Sequence, residues 1–395
     1  MMKDEIKEEL LNRIIPFWNA LRDDEYGGWY GLMDSGLNVD KKAVKGVILH
    51  SRILWFYSNA YLTLKDPKLL ENAKHAYDFL VEKCYDREYG GVYWSVNYDG
   101  TVHDDMKHSY CQAFFIYALA SYYRASGDKK ALDIAYKVME AVESCFADEV
   151  AYKEKFSRDM KRELANDELS ENGLMADKTM NTTLHLMEAY TELYLADKKP
   201  GVLERLKFQL DVMYDKIYDS KDSRLRVFFD KDMNEIGDVH SYGHDIEATW
   251  LVDLALDVIG DEVYAEKFRE MNKRIAANIA KVAYDIESGS LLNEVDKGVV
   301  NRKRIWWVQA ESVVGFLNAY QRGYGREYLE KARSIWDYIK NNFLDKRGGG
   351  EWYSELDDNG TPDPAKNIVD MWKCPYHNGR MCFEAISRLE EIENI

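Results

Sequence analysis

The chain reads as an all-α protein: an (α/α)6 barrel of twelve helices, six inner and six outer, with short β-hairpin-like loops. Three observations predict this. Short glycine-and-aromatic segments recur at spacings of roughly sixty to seventy residues, the kind of self-similarity that marks stacked repeats. The apolar pattern between them is helical. Alternate helices also differ in kind, one set apolar around most of the circumference and the other amphipathic.

The recurring segments are Asp24–Gly31 (DEYGGWYG), Asp86–Trp94 (DREYGGVYW), a degenerate Ala147–Tyr152 (ADEVAY), Asp219–Phe229 (DSKDSRLRVFF), Tyr284–Leu292 (YDIESGSLL) and Asp345–Tyr353 (DKRGGGEWY). Each reads as a turn followed by a short strand-like stretch, too short for a major sheet. Helices are expected over 4–21, 42–65, 67–84, 106–126, 128–146, 174–197, 201–217, 244–260, 261–283, 305–323, 326–343 and 376–392. Asp66-Pro67 starts the third, Gly127-Asp128 separates the fourth from the fifth, and Pro200-Gly201 separates the sixth from the seventh.

A helix pair cannot bury its apolar face alone, so pairs stack on neighbours. The even-numbered helices carry stretches such as Val47–Phe56 (VILHSRILWF), His108–Tyr117 (HSYCQAFFIY) and Ile305–Phe316 (IWWVQAESVVGF). Their polar residues cluster near the N-terminal ends, as expected for inner staves ending at one polar mouth. The odd-numbered helices, such as Asp128–Glu140 (DKKALDIAYKVME), are amphipathic and belong outside. No Pro/Ser-rich linker or composition shift interrupts residues 1–395, so one catalytic domain is expected.

Composition narrows the function. The net charge of −17 carries no basic footprint for nucleic acid and disfavours anionic substrates, so a neutral ligand is favoured over a phosphosugar. The 28 Tyr and 10 Trp, each with an apolar body and a polar tip, suit a sugar pocket. The five cysteines (Cys84, Cys111, Cys145, Cys374 and Cys382) are odd in number and show no C-x-x-C spacing. That argues for a reducing compartment and against a disulfide framework or a zinc site. The charged amphipathic start lacks a signal-peptide core and no 18-residue apolar run occurs, so no membrane partner and a cytoplasmic location are expected.

The inner helices begin with chemistry. The second opens with Lys45–Arg52 (KGVILHSR), the fourth with Lys107–Gln112 (KHSYCQ), the sixth with Lys178–His185 (KTMNTTLH), the eighth with Tyr242–Trp250 (YGHDIEATW), the tenth with Trp306–Glu311 (WWVQAE) and the twelfth with Tyr376–Arg380 (YHNGR). Asn181 and His185, and Trp307 and Glu311, are spaced i,i+4. His244 and Glu247, and Glu247 and Trp250, are spaced i,i+3, so each pair shares a helical face. Taken singly, many of these have ordinary explanations. His50 and His75 read as structural hydrogen-bonders. Arg52 could simply pair with Glu247 or Glu311, and one of Trp306 and Trp307 reads as core. Asn181-Thr-Thr fits a glycosylation sequon without meaning in the cytoplasm. The acidic runs near Glu140 and Glu390 are solvated surface. Six clusters at one end of six helices outweigh those individual readings.

His185, His244, His377 and a glutamate are adequate metal ligands, but they come from separate helices without an H-E-x-x-H spacing, and no metal is expected. Glu247 and Glu311 could serve a glycoside hydrolase, whose chemistry leaves three histidines superfluous. Histidines suit proton abstraction beside a carbonyl, because an unperturbed pKa near 6.5 lets each act as acid or base. An open-chain aldose has an acidified C2–H, and its loss gives an enediolate that Arg52 could stabilise. Returning the proton to the other face at C2 is epimerisation; returning it at C1 gives a ketose. Neither route needs a redox cofactor.

With Ile14–Trp18 (IIPFW), Lys45–Phe56, Leu169–Gly173 (LSENG), Lys178–His185, Ser241–Trp250, Ile305–Glu311 and Trp372–Cys382 (WKCPYHNGRMC), the chain resembles the N-acylglucosamine 2-epimerase superfamily over nearly its whole length, most closely its cellobiose 2-epimerase branch. The resemblance implies an (α/α)6 barrel and reversible C2 epimerisation of a reducing-end sugar without metal or nucleotide. It implies that His244 and His377 are the acid/base pair and that His185 assists. Arg52, Tyr110 and Asn181 would bind around O1–O3, and Glu247 and Glu311 would orient histidines or sugar hydroxyls. Trp307 and Trp372 would be stacking walls, with Trp250 joining the substrate-binding set. The expected ligand is a β-1,4-linked disaccharide, and the expected state is a monomer or weak homodimer. A monosaccharide-specific member of the superfamily, an (α/α)6 glycoside hydrolase and a non-enzymatic sugar-binding protein are the alternatives.

Overall fold

Five of the six inner staves start where a two- or three-residue strand ends, and that junction sets the positions of their polar clusters. The computed structural model describes residues 2–166, 168–169 and 173–393. Twelve helices run through them: α1 (residues 2–20), α2 (Val47–Leu64), α3 (67–84), α4 (Ser109–Ser126), α5 (Lys129–Cys145), α6 (Met180–Asp197), α7 (200–217), α8 (Tyr242–Ile259), α9 (Glu262–Val282), α10 (Trp306–Gln321), α11 (327–343) and α12 (Tyr376–Glu393). A π turn interrupts α1 at Leu10–Ile14 and closes α3, α7 and α11 at Leu80–Cys84, Met213–Ile217 and Ile339–Phe343.

The even-numbered helices pack in sequence order, and α12 returns to α2, so the inner ring is closed. Each odd-numbered helix lies outside an inner one, and α1 covers α12. Burial follows the sequence pattern. Fourteen of the 18 residues of α4 are buried but only six of the 17 of α5, which is the difference between a stave surrounded by protein and one with a solvent face. No helix among the described residues is long and apolar enough to cross a membrane.

The starts of α2, α4 and α6 fall three to six residues later than the sequence pattern predicts. The residues in front of them are strands. Lys45–Gly46 pairs with Ser95–Val96, Lys107–His108 with Lys155–Phe156, Lys178–Thr179 with Phe228–Phe229, Val239–Ser241 with Glu294–Asp296, and Arg304–Ile305 with Glu355–Leu356. Each strand before an inner helix is thereby joined to the hairpin of the next repeat. The bridge from Met33 to Val369 makes the sixth such join and closes the circle.

An acidic residue in or beside five of the six turns has a basic partner just before an inner helix. Asp23 binds Lys45 at 2.6 Å, Asp86 binds Lys107 at 3.0 Å, Asp148 binds Lys178 at 2.6 Å, Asp285 binds Arg304 at 2.6 Å, and Glu351 binds Lys373. The first three aspartates also accept two backbone N–H bonds within their own turns. This explains why the degenerate Ala147–Tyr152 segment is a true repeat without glycine: Asp148 does the same work. Buried ion pairs gain little net stability against well-packed apolar residues, but breaking one leaves a charge uncompensated. They therefore act as register pins at the base of the inner helices. The fourth repeat departs, pairing His240 with Asp245 at 2.7 Å.

His50 and His75 are structural, as the sequence suggested. His50 accepts the Trp29 N–H at 3.0 Å and binds the Gly46 carbonyl through Nδ1, while His75 meets the Gly28 carbonyl at 3.2 Å.

Candidate active site

A cavity of about 330 Å³ opens where the inner helices begin. That lies at the lower end of the range for small-molecule sites, roughly 300–1,000 Å³. Arg52, Tyr110, Asn181, His185, His244, Glu247, Trp307, Trp372 and His377 all line it. Five different inner helices and the segment before α12 supply them, together with α12 itself, so residues far apart in sequence meet in one chamber. Trp250 and Glu311, expected against the sugar, stand one layer behind the wall, where both are fully buried.

The three imidazoles are held in one way, through Nδ1. His377 Nδ1 lies 2.7 Å from Glu311 Oε1, His185 Nδ1 lies 2.8 Å from Glu188 Oε2, and His244 Nδ1 lies 2.7 Å from the Ser241 hydroxyl. Among the described residues no partner meets the Nε2 of any of the three rings, and all three line the cavity. The Trp307 ring packs between His244 and His377, with centroids 4.7 and 5.5 Å away, which bounds the separation of the two histidines. Gly243 makes this possible: a Cβ there would lie 2.6 Å from the Trp307 ring.

Beneath the histidines lies a buried charge network around Arg380, a residue to which the sequence reading gave no role. Its guanidinium binds Glu311 at 2.7 Å and also Glu188 and Glu247. Tyr376 donates to Glu188 at 2.6 Å and Trp250 donates to Glu311 at 3.1 Å. Glu188, three residues after His185, was also missed, although its i,i+3 spacing is the signal that could have found it. Burial alone would raise Glu188, but Arg380 and His185 outweigh it and hold the carboxyl down to about 2. Burial pushes Glu247 up to about 7, reinforced by Glu311. Burial also pushes Glu311 up, against Arg380 and Trp250. Three donors converge on Glu311, so we assign it as the carboxylate of the pair. Burial lowers His244 to about 3 and, with the charges of Arg380 and Arg52, lowers His377 well below the usual imidazole value. Burial thus favours the neutral form of both rings.

Arg52 behaves differently from Arg380. Its Nη2 donates to the Tyr110 hydroxyl at 2.7 Å and its Nη1 to the Trp372 carbonyl at 3.3 Å, and it lies over Phe114 and Tyr376. It has no carboxylate partner among the described residues; Arg380 has taken Glu247 and Glu311 instead. A buried guanidinium bordering a cavity without an anion is a receptor for negative charge that develops there. Asn181 Oδ1 and Glu247 Oε2 are likewise buried without a partner among the described residues, and both residues face the cavity. Such atoms incur a desolvation cost that a bound hydroxyl would relieve.

The same network weighs against two alternatives. Glu247, Glu311 and His377 bring ligand atoms within 4.8 Å of one another, but the Arg380 guanidinium is bonded to both carboxylates and already provides the cation. For the same reason the two glutamates are not poised as an inverting glycosidase pair, which stands roughly 6.5–9.5 Å apart around a water.

The N-acylglucosamine 2-epimerase (GlcNAc 2-epimerase) family model matches residues 28–378. The chain belongs to the N-acylglucosamine 2-epimerase family. Within this family it is 58% identical to the cellobiose 2-epimerase of Ruminococcus albus, over 99% of this chain and 100% of that one. Its fold matches the crystal structure of a sugar epimerase from a ruminal bacterium with a TM-score of 0.96, at 57% identity, covering 98% of this chain and 99% of that one. It matches the cellobiose 2-epimerase of Bacillus thermoamylovorans with a TM-score of 0.94, at 44% identity and the same coverage. The family and its members' folds agree with the (α/α)6 barrel described above. Of the Leu169–Gly173 string that contributed to the sequence resemblance, Ser170, Glu171 and Asn172 lie outside the described residues.

Proposed function

We propose that this protein is a carbohydrate epimerase that inverts C2 of the reducing-end glucose of β-1,4-linked disaccharides, converting cellobiose to glucosyl-mannose and accepting lactose. One observation supports this most strongly: three imidazoles, each bonded through Nδ1, border one cavity beside an arginine that has no carboxylate partner among the described residues, in a chain 58% identical to a cellobiose 2-epimerase over 99% of its length. After ring opening, a histidine takes the C2 proton and the electron pair moves through C1=C2 to the carbonyl oxygen. Arg52 and Tyr110 stabilise the resulting enediolate, and Asn181 and Glu247 hold sugar hydroxyls. Reprotonation on the opposite face completes the inversion, with His244 and His377 as the acid/base pair and His185 assisting. Trp307 walls the reacting sugar and Trp372 stacks near the second. The reaction leaves the oxidation state of the sugar unchanged and calls for no redox cofactor. Five free cysteines, four of them buried, fit action in a reducing cytoplasm.

The test is incubation of the purified protein with cellobiose in D2O. Deuterium should enter C2 of the reducing sugar, and a mannose-ended disaccharide should accumulate. His377→Ala should abolish both while leaving the circular dichroism spectrum intact. Absence of C2 exchange in the wild type, or release of monosaccharide instead, would overturn the assignment.

A further inference from the structure

Four inner helices are tied to the turn before them in one way. The side chain of the fourth helical residue accepts a backbone N–H just after the turn: His50 from Trp29 at 3.0 Å, Gln112 from Val92 at 2.7 Å, Asp245 from Leu225 at 3.0 Å and Gln309 from Leu291 at 2.9 Å. The last repeat reverses this. The fourth residue of α12 is Gly379, which has no side chain to offer, and a Cβ there would stand 2.5 Å from Phe56 of α2. The turn supplies the acceptor instead. Glu351 occupies the place of Gly28 and Gly91 in the first two turns: its carbonyl accepts the Asp345 N–H, as theirs accept those of Asp23 and Asp86. Its Oε2 accepts the Trp352 N–H at 2.7 Å.

The same carboxylate reaches further. Oε2 also binds Lys373 Nζ, while Oε1 accepts from Asn378 Nδ2 and, at 3.3 Å, from Trp18 Nε1 of α1. Glu351, Lys373 and Asn378 are all buried. Lys373 directly follows Trp372 and Asn378 directly follows His377, so one side chain grips the neighbour of each of two cavity residues. The other pins lack this second arm. Among the described residues Asp23, Asp148 and Asp285 bind the basic residue before their helix and no side chain on the helix itself. Successive helical residues point about 100° apart, so an Asn378 held by Glu351 fixes the direction in which His377 points.

We propose that Glu351 is a positioning residue that sets Trp372 and His377 relative to each other, and so joins the wall for the second sugar to the proton-transfer site. This rests on the epimerase reading above. A disaccharide that presents C2 to the histidines while its second ring lies on Trp372 needs both held on one frame. A misplacement of about 1 Å can cost about a hundredfold in rate.

The experiment uses the full-length protein and initial rates of cellobiose epimerisation. Asn378→Ala releases the α12 arm alone and should lower kcat by about tenfold, with KM within about twofold of the wild type. Glu351→Met and Lys373→Met, made together, release both arms without leaving a buried charge unpaired, so the fold should survive. This double variant should lower kcat by a similar factor and also raise KM by about fivefold, because binding of the second sugar is loosened. Loss of packing alone would lower the melting temperature without separating KM from kcat in this way. Asn378→Ala with kcat within about twofold of the wild type, or a double variant with unchanged KM, overturns the proposal. Asn378→Ala keeps the Glu351–Lys373 pair, so it decides the α12 arm even if the double variant did not fold. The wild-type rate on cellobiose tests the epimerase reading itself. Crystal structures of the variants test the anchor without reference to turnover: His377 displaced in both, and Trp372 in the double variant alone, supports it, and side chains left in place overturn it.

Discussion

Replacing Glu311 by glutamine isolates the carboxylate that holds His377. Three donors converge on its two oxygens: His377 Nδ1 and Arg380 Nη2 on Oε1, each at 2.7 Å, and Trp250 Nε1 on Oε2 at 3.1 Å. A glutamine has one acceptor oxygen. If that oxygen serves His377 and Arg380, the amide NH2 opposes the Trp250 N–H. If it serves Trp250, the NH2 faces His377 and forces the imidazole to present Nδ1 as an acceptor, which puts the proton on Nε2 and removes the base. Either way the anion that would balance an imidazolium is gone. A hydrogen bond to a charged group is worth about 1.5–3 kcal/mol. Losing the upper end of that range from the transition state lowers kcat roughly a hundredfold, at about 1.4 kcal/mol per decade. Because Arg380 keeps Glu188 and Glu247, stability should fall by only about 1–3 kcal/mol. The assay is initial-rate epimerisation of cellobiose, with thermal unfolding followed in parallel. A Glu311→Gln protein that keeps kcat within threefold of the wild type would refute the claim that this carboxylate sustains the base.

Arg52→Lys should lower kcat/KM on cellobiose by about a hundredfold, since an ammonium cannot bond Tyr110 and the Trp372 carbonyl while lying flat over Phe114. Rates within threefold of the wild type would remove Arg52 from the oxyanion site. A second expectation concerns acid stability. Glu188 is depressed to about 2 from an ordinary 4.5, because Arg380 and His185 overcome the opposing effect of burial. A depressed carboxyl stabilises the fold fully above its unfolded value and loses that contribution as pH falls through the folded one. The window is therefore about pH 4.5 down to about 2, and the contribution above it is on the order of 3 kcal/mol. Urea midpoints of the wild type and Glu188→Gln at pH 7, 4 and 2.5 should converge as pH falls; a constant gap would contradict the linkage.

The ring architecture was legible because an inner stave and an outer stave need different apolar patterns, and α4 and α5 show both plainly. The clusters at the N-terminal ends were legible because i,i+3 and i,i+4 spacing fixes a face. What the sequence hid was pairing across the ring. Two arginines compete for Glu247 and Glu311, and nothing in chain order says that Arg380 rather than Arg52 receives them; their positions after folding decide it. The late starts of α2, α4 and α6 were hidden for a related reason. Lys45, Lys107 and Lys178 suit a helix locally, and their strand geometry comes from partners in the following repeat. Ser241 lies outside the helix expected over 244–260, yet it directly precedes α8 and its hydroxyl bonds His244 Nδ1 rather than a backbone N–H.

The bridge between Met33 and Val369, with α1 lying against α12, joins the two ends of the circle. His377 rides on the last inner stave, so a growing polypeptide carries Arg52, His185 and His244 well before it carries His377 and the wall that seals the chamber. On the proposed mechanism, proton transfer at C2 therefore waits until α12 has joined the ring. A truncation that removes only the final helix should give a protein that has lost catalysis and its circular closure together.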